Sequence, residues 1–191
     1  MLTVEALAKR LGGRDLFRDL AFTLARGEVL GLAGPSGAGK TTLLSILAGL
    51  DSDYEGTVRW DGSPRLGMVF QSPRLLPWRT ALQNVALAVA GDTAKASAAL
   101  QKVGLADAGA VYPARLSLGM ARRVALARAL AIEPDVLLLD EAFVSLDPRS
   151  ADQARGVVLE AVKARGMAVL TVSHDRPDLE RMAGRIVELD R

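Results

Sequence analysis

Apolar residues in the first stretch of the chain fall on alternate positions, interrupted by Gly12-Gly13. Residues 2–8 and 16–24 are therefore predicted to form the arms of an antiparallel hairpin. Residues 29–33 are apolar throughout, as in a strand covered on both faces, and a glycine-rich loop and an apolar helix over 41–50 follow. A second hairpin is predicted near 57–60, with Asp61-Gly62 as its turn. Residues 66–70 read as another buried strand, ended at Gln71 by SPRLLPW with Pro73 and Pro77. From Thr80 to about 131 the period is helical, with breaks expected at Gly91, Gly104 and Pro113. Strand 136–139, helix 148–165, strand 168–172, helix 177–183 and strand 186–189 complete the chain. Strands alternating with helices predict a parallel α/β sheet covered on both faces. The helical block splits that alternation and reads as an inserted lobe. No internal repeat or low-complexity tract is present.

Composition narrows the class. The 191 residues suffice for one domain, or one domain with an inserted lobe, and for a sizeable core. At 50% hydrophobic and 24% charged, the balance is that of a soluble globular protein. A formal charge of +2 gives no reason to expect a nucleic-acid partner. With no Cys there are no disulfides and no thiolate metal site, which fits a reducing compartment. MLTVEALAKR lacks the apolar stretch of a signal peptide, and VLLL at 136–139 is far too short to cross a bilayer. Work at a membrane would require another chain to hold this one there.

Chemistry enters at GPSGAGKTT, residues 34–42, which fits the P-loop pattern at Gly34, Gly39, Lys40 and Thr41. Gly34 and Gly37 permit backbone conformations that turn consecutive N–H groups onto a phosphate, and Ser36, Ala38 and Thr42 lie in the same cradle. Lys40 is suited to neutralise β/γ-phosphate charge, and the Thr41 hydroxyl to ligate Mg²⁺. A strand before the loop and a helix after it make an ordinary glycine-rich turn a poor reading. This is a nucleoside-triphosphate site.

Asp140 and Glu141 end the strand VLLL, at the edge where parallel sheets bind ligands. Asp140 is placed to hold the Mg²⁺ shell and Glu141 to accept a proton from an attacking water. A helix-start acid pair is the blander reading, and the strand and P-loop outweigh it. Gln71 and His174 also follow strands, so their side chains are candidates to reach the γ-phosphate. A lone His is more often a structural hydrogen-bonder, and only its strand-end position favours function.

The segment LSLGM at 116–120 has two readings. Ser117 is a suitable N-cap for the helix that follows, and the same first turn, with the Gly119 N–H, is suited to hold an anion. Leu118 stands between the two small residues.

Together GPSGAGKTT, Gln71, LSLGM, VLLLDE, SLD at 145–147 and His174 resemble the ATPase subunit of ABC transporters, nearly end to end. VFQSPRLLPW and YPARLSLGMARRVALARAL look most like the nitrate, sulfonate and taurine importer branch. The resemblance implies a P-loop NTPase (RecA-like) core over about 1–75 and 132–191. An N-terminal antiparallel β subdomain belongs to that core, and an α-helical subdomain is inserted at about 76–131. It also implies ATP and Mg²⁺, with Glu141, His174 and Gln71 catalytic and Thr41, Gln71 and Asp140 on the metal. Two subunits would pair head to tail, so that Ser117 and the Gly119 N–H donate to the γ-phosphate held by the other chain, with Asp147 at the same interface. The implied partners are transmembrane permease subunits, a second ATPase subunit and a solute-binding protein, at the cytoplasmic face of the membrane.

Three positions depart from the family's usual residues. Leu118 replaces a Gly and would crowd the ATP-covering turn. Leu11 stands where an aromatic usually stacks on adenine, which predicts weak ATP binding, while Phe17 reads as core. Ala142 replaces a Pro after the catalytic acid. Leu75, Leu76 and Trp78 either dock a membrane subunit's helix or pack between lobes. The chain stops soon after His174, so a C-terminal regulatory extension is not expected. A soluble ABC protein of repair or translation would need tandem halves, coiled-coil arms or zinc modules. A P-loop kinase would need substrate-phosphate machinery. A weakly hydrolysing structural subunit is favoured by Leu118 and Leu11 but opposed by Lys40, Asp140, Glu141 and His174. Import and export share these marks.

Overall fold

The computed structural model describes residues 1–144 and 146–189. Two sheets organise them. Strands β1 (Leu2–Leu11), β2 (Arg14–Leu24) and β4 (Glu55–Trp60) form an antiparallel sheet in the order β2-β1-β4. Strands β3 (Val29–Ala33), β5 (Leu66–Val69), β6 (Val136–Asp140), β7 (Ala168–Ser173) and β8 (Arg185–Glu188) form a parallel sheet in the order β5-β6-β7-β3-β8. Every residue of β3, β6 and β7 is buried, as expected for strands covered on both faces. Alternate residues of β6 serve two cores. Val136 and Leu138 pack with the antiparallel sheet and helix α1 (Lys40–Leu47). Leu137 and Leu139 face the helices α2 (Ala81–Ala86), α3 (Thr93–Lys102), α4 (Leu118–Ala131) and α5 (Pro148–Arg165).

The first predicted hairpin forms, with its alternation broken at Ala6 and Asp19, both at positive φ where the register shifts. The second does not. Strand β4 pairs with β1, setting Val4 opposite Val58, while β5 crosses to the parallel sheet beside β6. Asp61 is tied to the chain start, donating its N–H to the Met1 carbonyl and accepting the Met1 ammonium at 2.6 Å. The turn chemistry of Asp-Gly is local. The choice of partner is decided by burial, and apolar β5 removes more surface from water beside β6.

Between β5 and β6 the predicted breaks are present: Gly91 and Gly104 adopt positive φ between helices, and Pro113 opens a 3₁₀ turn before α4. A capping box starts α2, with Thr80 accepting from the Gln83 N–H and Gln83 accepting from the Thr80 N–H. Asn84 is fully buried on α2. Its side chain accepts from the Leu76 N–H at 2.7 Å and donates to the carbonyls of Leu76, Arg79 and Thr80. It thereby fixes the Pro-rich segment and leaves Trp78 exposed. The last elements are α6 (Arg176–Glu180) and β8. Among the described residues no helix is long and apolar enough to cross a membrane.

Candidate nucleotide site

Strand β3 delivers the chain into the P-loop and α1 carries it out. Gly37 and Gly39 both take left-handed conformations, φ 81° and 90°. At Gly39 a Cβ would also meet Leu16 Cβ at 3.0 Å and Phe17 Cδ1 at 3.1 Å, so the loop lies against β2. No side chain caps α1, which leaves its first-turn N–H groups and positive dipole end available to an anion. Ala38 is buried beneath the loop, while Ser36 and Gly37 are exposed on it.

The Lys40 ammonium is largely buried and arches back over the loop, donating to the carbonyls of Gly34 at 2.7 Å and Pro35 at 2.9 Å. Thr41 Oγ1 donates to Asp140 Oδ2 at 2.8 Å, joining the start of α1 to the end of β6. Thr41 and Thr42 also line a 520 Å³ open cavity with Ser45, Asp51 and Phe70.

Asp140 is 2% exposed. Burial pushes its carboxyl above the ordinary range, and the neighbouring Glu141 charge adds to that, against the Thr41 hydroxyl and the Lys40 charge. At Glu141 the chain turns sharply, with φ 48° for a non-glycine residue and its N–H donated to Val172 O. Such a conformation is costly and persists only when its surroundings enforce it. Here it turns the carboxylate between two other strand ends. Gln71 Nε2 donates to Glu141 Oε2 at 3.2 Å, and His174 Nδ1 lies 2.8 Å from Glu141 Oε1. Gln71, Asp140, Glu141 and His174 thus converge beside the P-loop from the ends of β5, β6 and β7.

The remaining candidate residues lie elsewhere. Ser117 is the N-cap of α4, accepting from the Met120 N–H at 3.2 Å. Leu118 is 53% exposed, and a Cβ at Gly119 would meet Leu146 Cδ2 at 3.3 Å. Asp147 caps α5 through the Ser150 N–H, and the hydrogen bonds from Ser150 hold its carboxyl below the usual range. Ser145 of the SLD stretch lies outside the described residues. Leu11, at the free end of β1, is 61% exposed, whereas Phe17 is buried. Leu16 and Phe17 of β2, not Leu11, make the contact with Gly39.

Sequence reading missed Arg128. From α4 its guanidinium donates to the carbonyls of Arg74 at 2.9 Å and Pro73 at 3.1 Å, bracing the segment that follows Gln71. Arg74 in turn lies over the Phe70 ring, 3.7 Å from its centroid. A charged residue inside the Ala- and Leu-rich run of α4 was the only available signal.

Residues 17–144 match the family described as ABC transporter. An aliphatic sulfonates import ATP-binding protein, SsuB 2 of Burkholderia cenocepacia (strain HI2424), is 40% identical over 99% of this chain and 73% of the relative. SsuB of Mycobacterium sp. (strain MCS) is 45% identical over 99% and 79%. Among solved structures, the dimeric post-hydrolysis state of the ATP-binding cassette MJ0796 bound to ADP and Pi superposes with a TM-score of 0.91. The identity there is 28%, over 100% of this chain and 94% of that one. A second dimeric structure of the same cassette gives a TM-score of 0.90. The chain belongs to the ABC transporter family, as one of its ATP-binding cassette subunits.

Proposed function

We propose that this chain hydrolyses ATP to drive a membrane importer of small organic anions of the aliphatic sulfonate class. The sequence relatives support the cargo class and the direction of transport. Residues 76–131 would form a helical lobe on a core of 1–75 and 132–191, lying with its permease subunits at the cytoplasmic face. A solute-binding protein would complete the assembly.

One observation carries the hydrolytic reading: a strained carboxylate, Glu141, is held between Gln71 and His174 at the mouth of the P-loop. Each Glu141 oxygen accepts one hydrogen bond and keeps further lone-pair capacity, enough to take the proton of an attacking water. With Nδ1 donating to Glu141, His174 Nε2 has no partner among the described residues and is free for the γ-phosphate. Lys40 would exchange the Gly34 and Pro35 carbonyls for phosphate oxygens, and the first-turn N–H groups of α1 would receive the rest of the charge. The Thr41 hydroxyl and the Asp140 carboxylate are hard oxygen donors already in contact, which suits Mg²⁺, with Gln71 nearby as a further ligand. Bound there, Mg²⁺ would supply charge neutralisation at the β- and γ-oxygens. Ser117, Gly119 and Asp147 would act across a head-to-tail dimer, and Leu11 would cover the base.

Glu141→Gln preserves shape and removes the base. Its turnover is expected to fall by about two to three orders of magnitude while ATP still binds. The mass of this variant in solution, measured with and without Mg-ATP, tests the closure mechanism. A shift from monomer to dimer on adding ATP supports it. A monomer with ATP demonstrably bound would favour a subunit whose closure Leu118 prevents.

A further inference from the structure

Helix α5 buries Ala151, Ala154 and Val158 on one face, and among them a cation, Arg155. At 8% exposure an aliphatic side chain would pack there without the cost of desolvating a charge. The partners of Arg155 show what the charge is for. Nη1 donates to Asp152 Oδ1 at 2.8 Å, and Nη2 donates to the Asp178 carboxylate. The guanidinium also lies 5.2 Å from the centroid of the Phe143 ring. Its Nε is buried with no partner, so the group is held by position and not by complete satisfaction.

Phe143 lies two residues beyond Glu141, and Asp178 four beyond His174. Strands β6 and β7 are neighbours up to the pair Asp140 and Val172, after which the two loops diverge. Arg155 touches both at their far side, while Glu141 and His174 meet at the near side. A 330 Å³ cavity lined by Phe143, Leu146, Arg155, His174 and Asp178 runs beneath the pair. Unbraced, the loops have room to shift into it.

We propose that Arg155 is a positioning residue for the hydrolytic site: through Phe143 and Asp178 it fixes the separation of the loops carrying Glu141 and His174. This rests on the hydrolytic reading above, and the test separates the two. His174 is the only histidine of the chain, so its imidazole gives a single set of NMR signals. The spectrum of Glu141→Gln supplies the reference for an imidazole without its carboxylate.

In purified Arg155→Met, kcat for ATP is expected to fall about tenfold with KM within about twofold of the parent. The His174 signals should move toward the Glu141→Gln positions, and Arg155→Lys should recover part of both. Unmoved His174 signals in Arg155→Met overturn the proposal, whatever happens to its melting temperature, since a purely structural arginine would give that result. If Arg155→Met does not fold, Asp178→Asn carries the same two readings. If the parent chain hydrolyses no ATP, the functional reading fails while the His174 signals still decide the brace.

Discussion

Two helices of this chain begin at glycine-bearing segments, α1 after Gly39 and α4 after Ser117, and their first turns are completed in different ways. At α1 no side chain caps the helix, and Lys40, Thr41 and Asp140 close around it through hydrogen bonds within the chain. At α4 the Ser117 oxygen satisfies the Met120 N–H, while Leu118 is exposed and Gly119 rests against Leu146. One helix start is built into a site, and the other is presented outward as a finished cap. The difference is what an ATP clamp shared between two chains requires: each chain completes one phosphate cradle and carries the cover for another.

Ser117→Asp breaks that comparison most sharply. Asp is as good an N-cap as Ser, so the monomer should keep its melting temperature and its ATP affinity. A carboxylate facing a γ-phosphate would instead repel it and remove a charge-assisted hydrogen bond of about 1.5–3 kcal/mol. In the Glu141→Gln background, ATP-driven dimerisation should weaken by more than about tenfold. Equal dimerisation of the two proteins, read by sedimentation, would make Ser117 a cap and nothing more.

The α1 site was legible in the sequence because its parts are local. Val29–Ala33, Val136–Asp140 and Ala168–Ser173 are continuous apolar runs, and the polar residue that ends each one marks the ligand edge of the sheet. Helix breaks at Gly91, Gly104 and Pro113 were equally legible. What the sequence concealed is non-local. Asp61-Gly62 is a good hairpin turn, yet the strands on either side of it go to different sheets. Asn84, Arg128 and Arg155 look like polar interruptions of apolar helices until the carbonyls and carboxylates they hold come into view. The mutual contact of Gln71, Glu141 and His174 likewise joins residues 33 and 70 positions apart.

Leu11 sharpens the comparison at the base end of the same cradle. It lies exposed at the tip of the β1–β2 hairpin, while the buried Phe17 is committed to the core. Leu11→Tyr should tighten ATP binding by about fivefold, the gain from a single base stacking on an aromatic at the low end of its range. A strand end is a favourable place for an aromatic, so the fold should tolerate it. An unchanged dissociation constant in calorimetric titration would place the adenine away from residue 11.

The smallest expected effect concerns Asp140, where the completed cradle works against the fold. Burial holds its carboxyl above the ordinary range. The folded chain therefore keeps that proton to a higher pH than the unfolded chain does. Stability is lost as pH rises from the ordinary carboxylate value through the folded one, and stays lost above it. Asn at this position keeps a carbonyl oxygen for the Thr41 hydroxyl and carries no charge. Near neutral pH, Asp140→Asn should melt about 2–4 °C higher than the parent, as a gain on the order of 1 kcal/mol does in a chain of this length. The gap should close in acid, where the parent carboxyl is protonated in both states. With Mg-ATP the order should reverse, because only the parent gains the full stabilisation of a bound ligand. A variant that melts lower near neutrality would show that the Thr41–Asp140 bond outweighs the buried charge. The start of α1 would then be stabilised by its own contacts, and the cost assigned to the cradle would vanish.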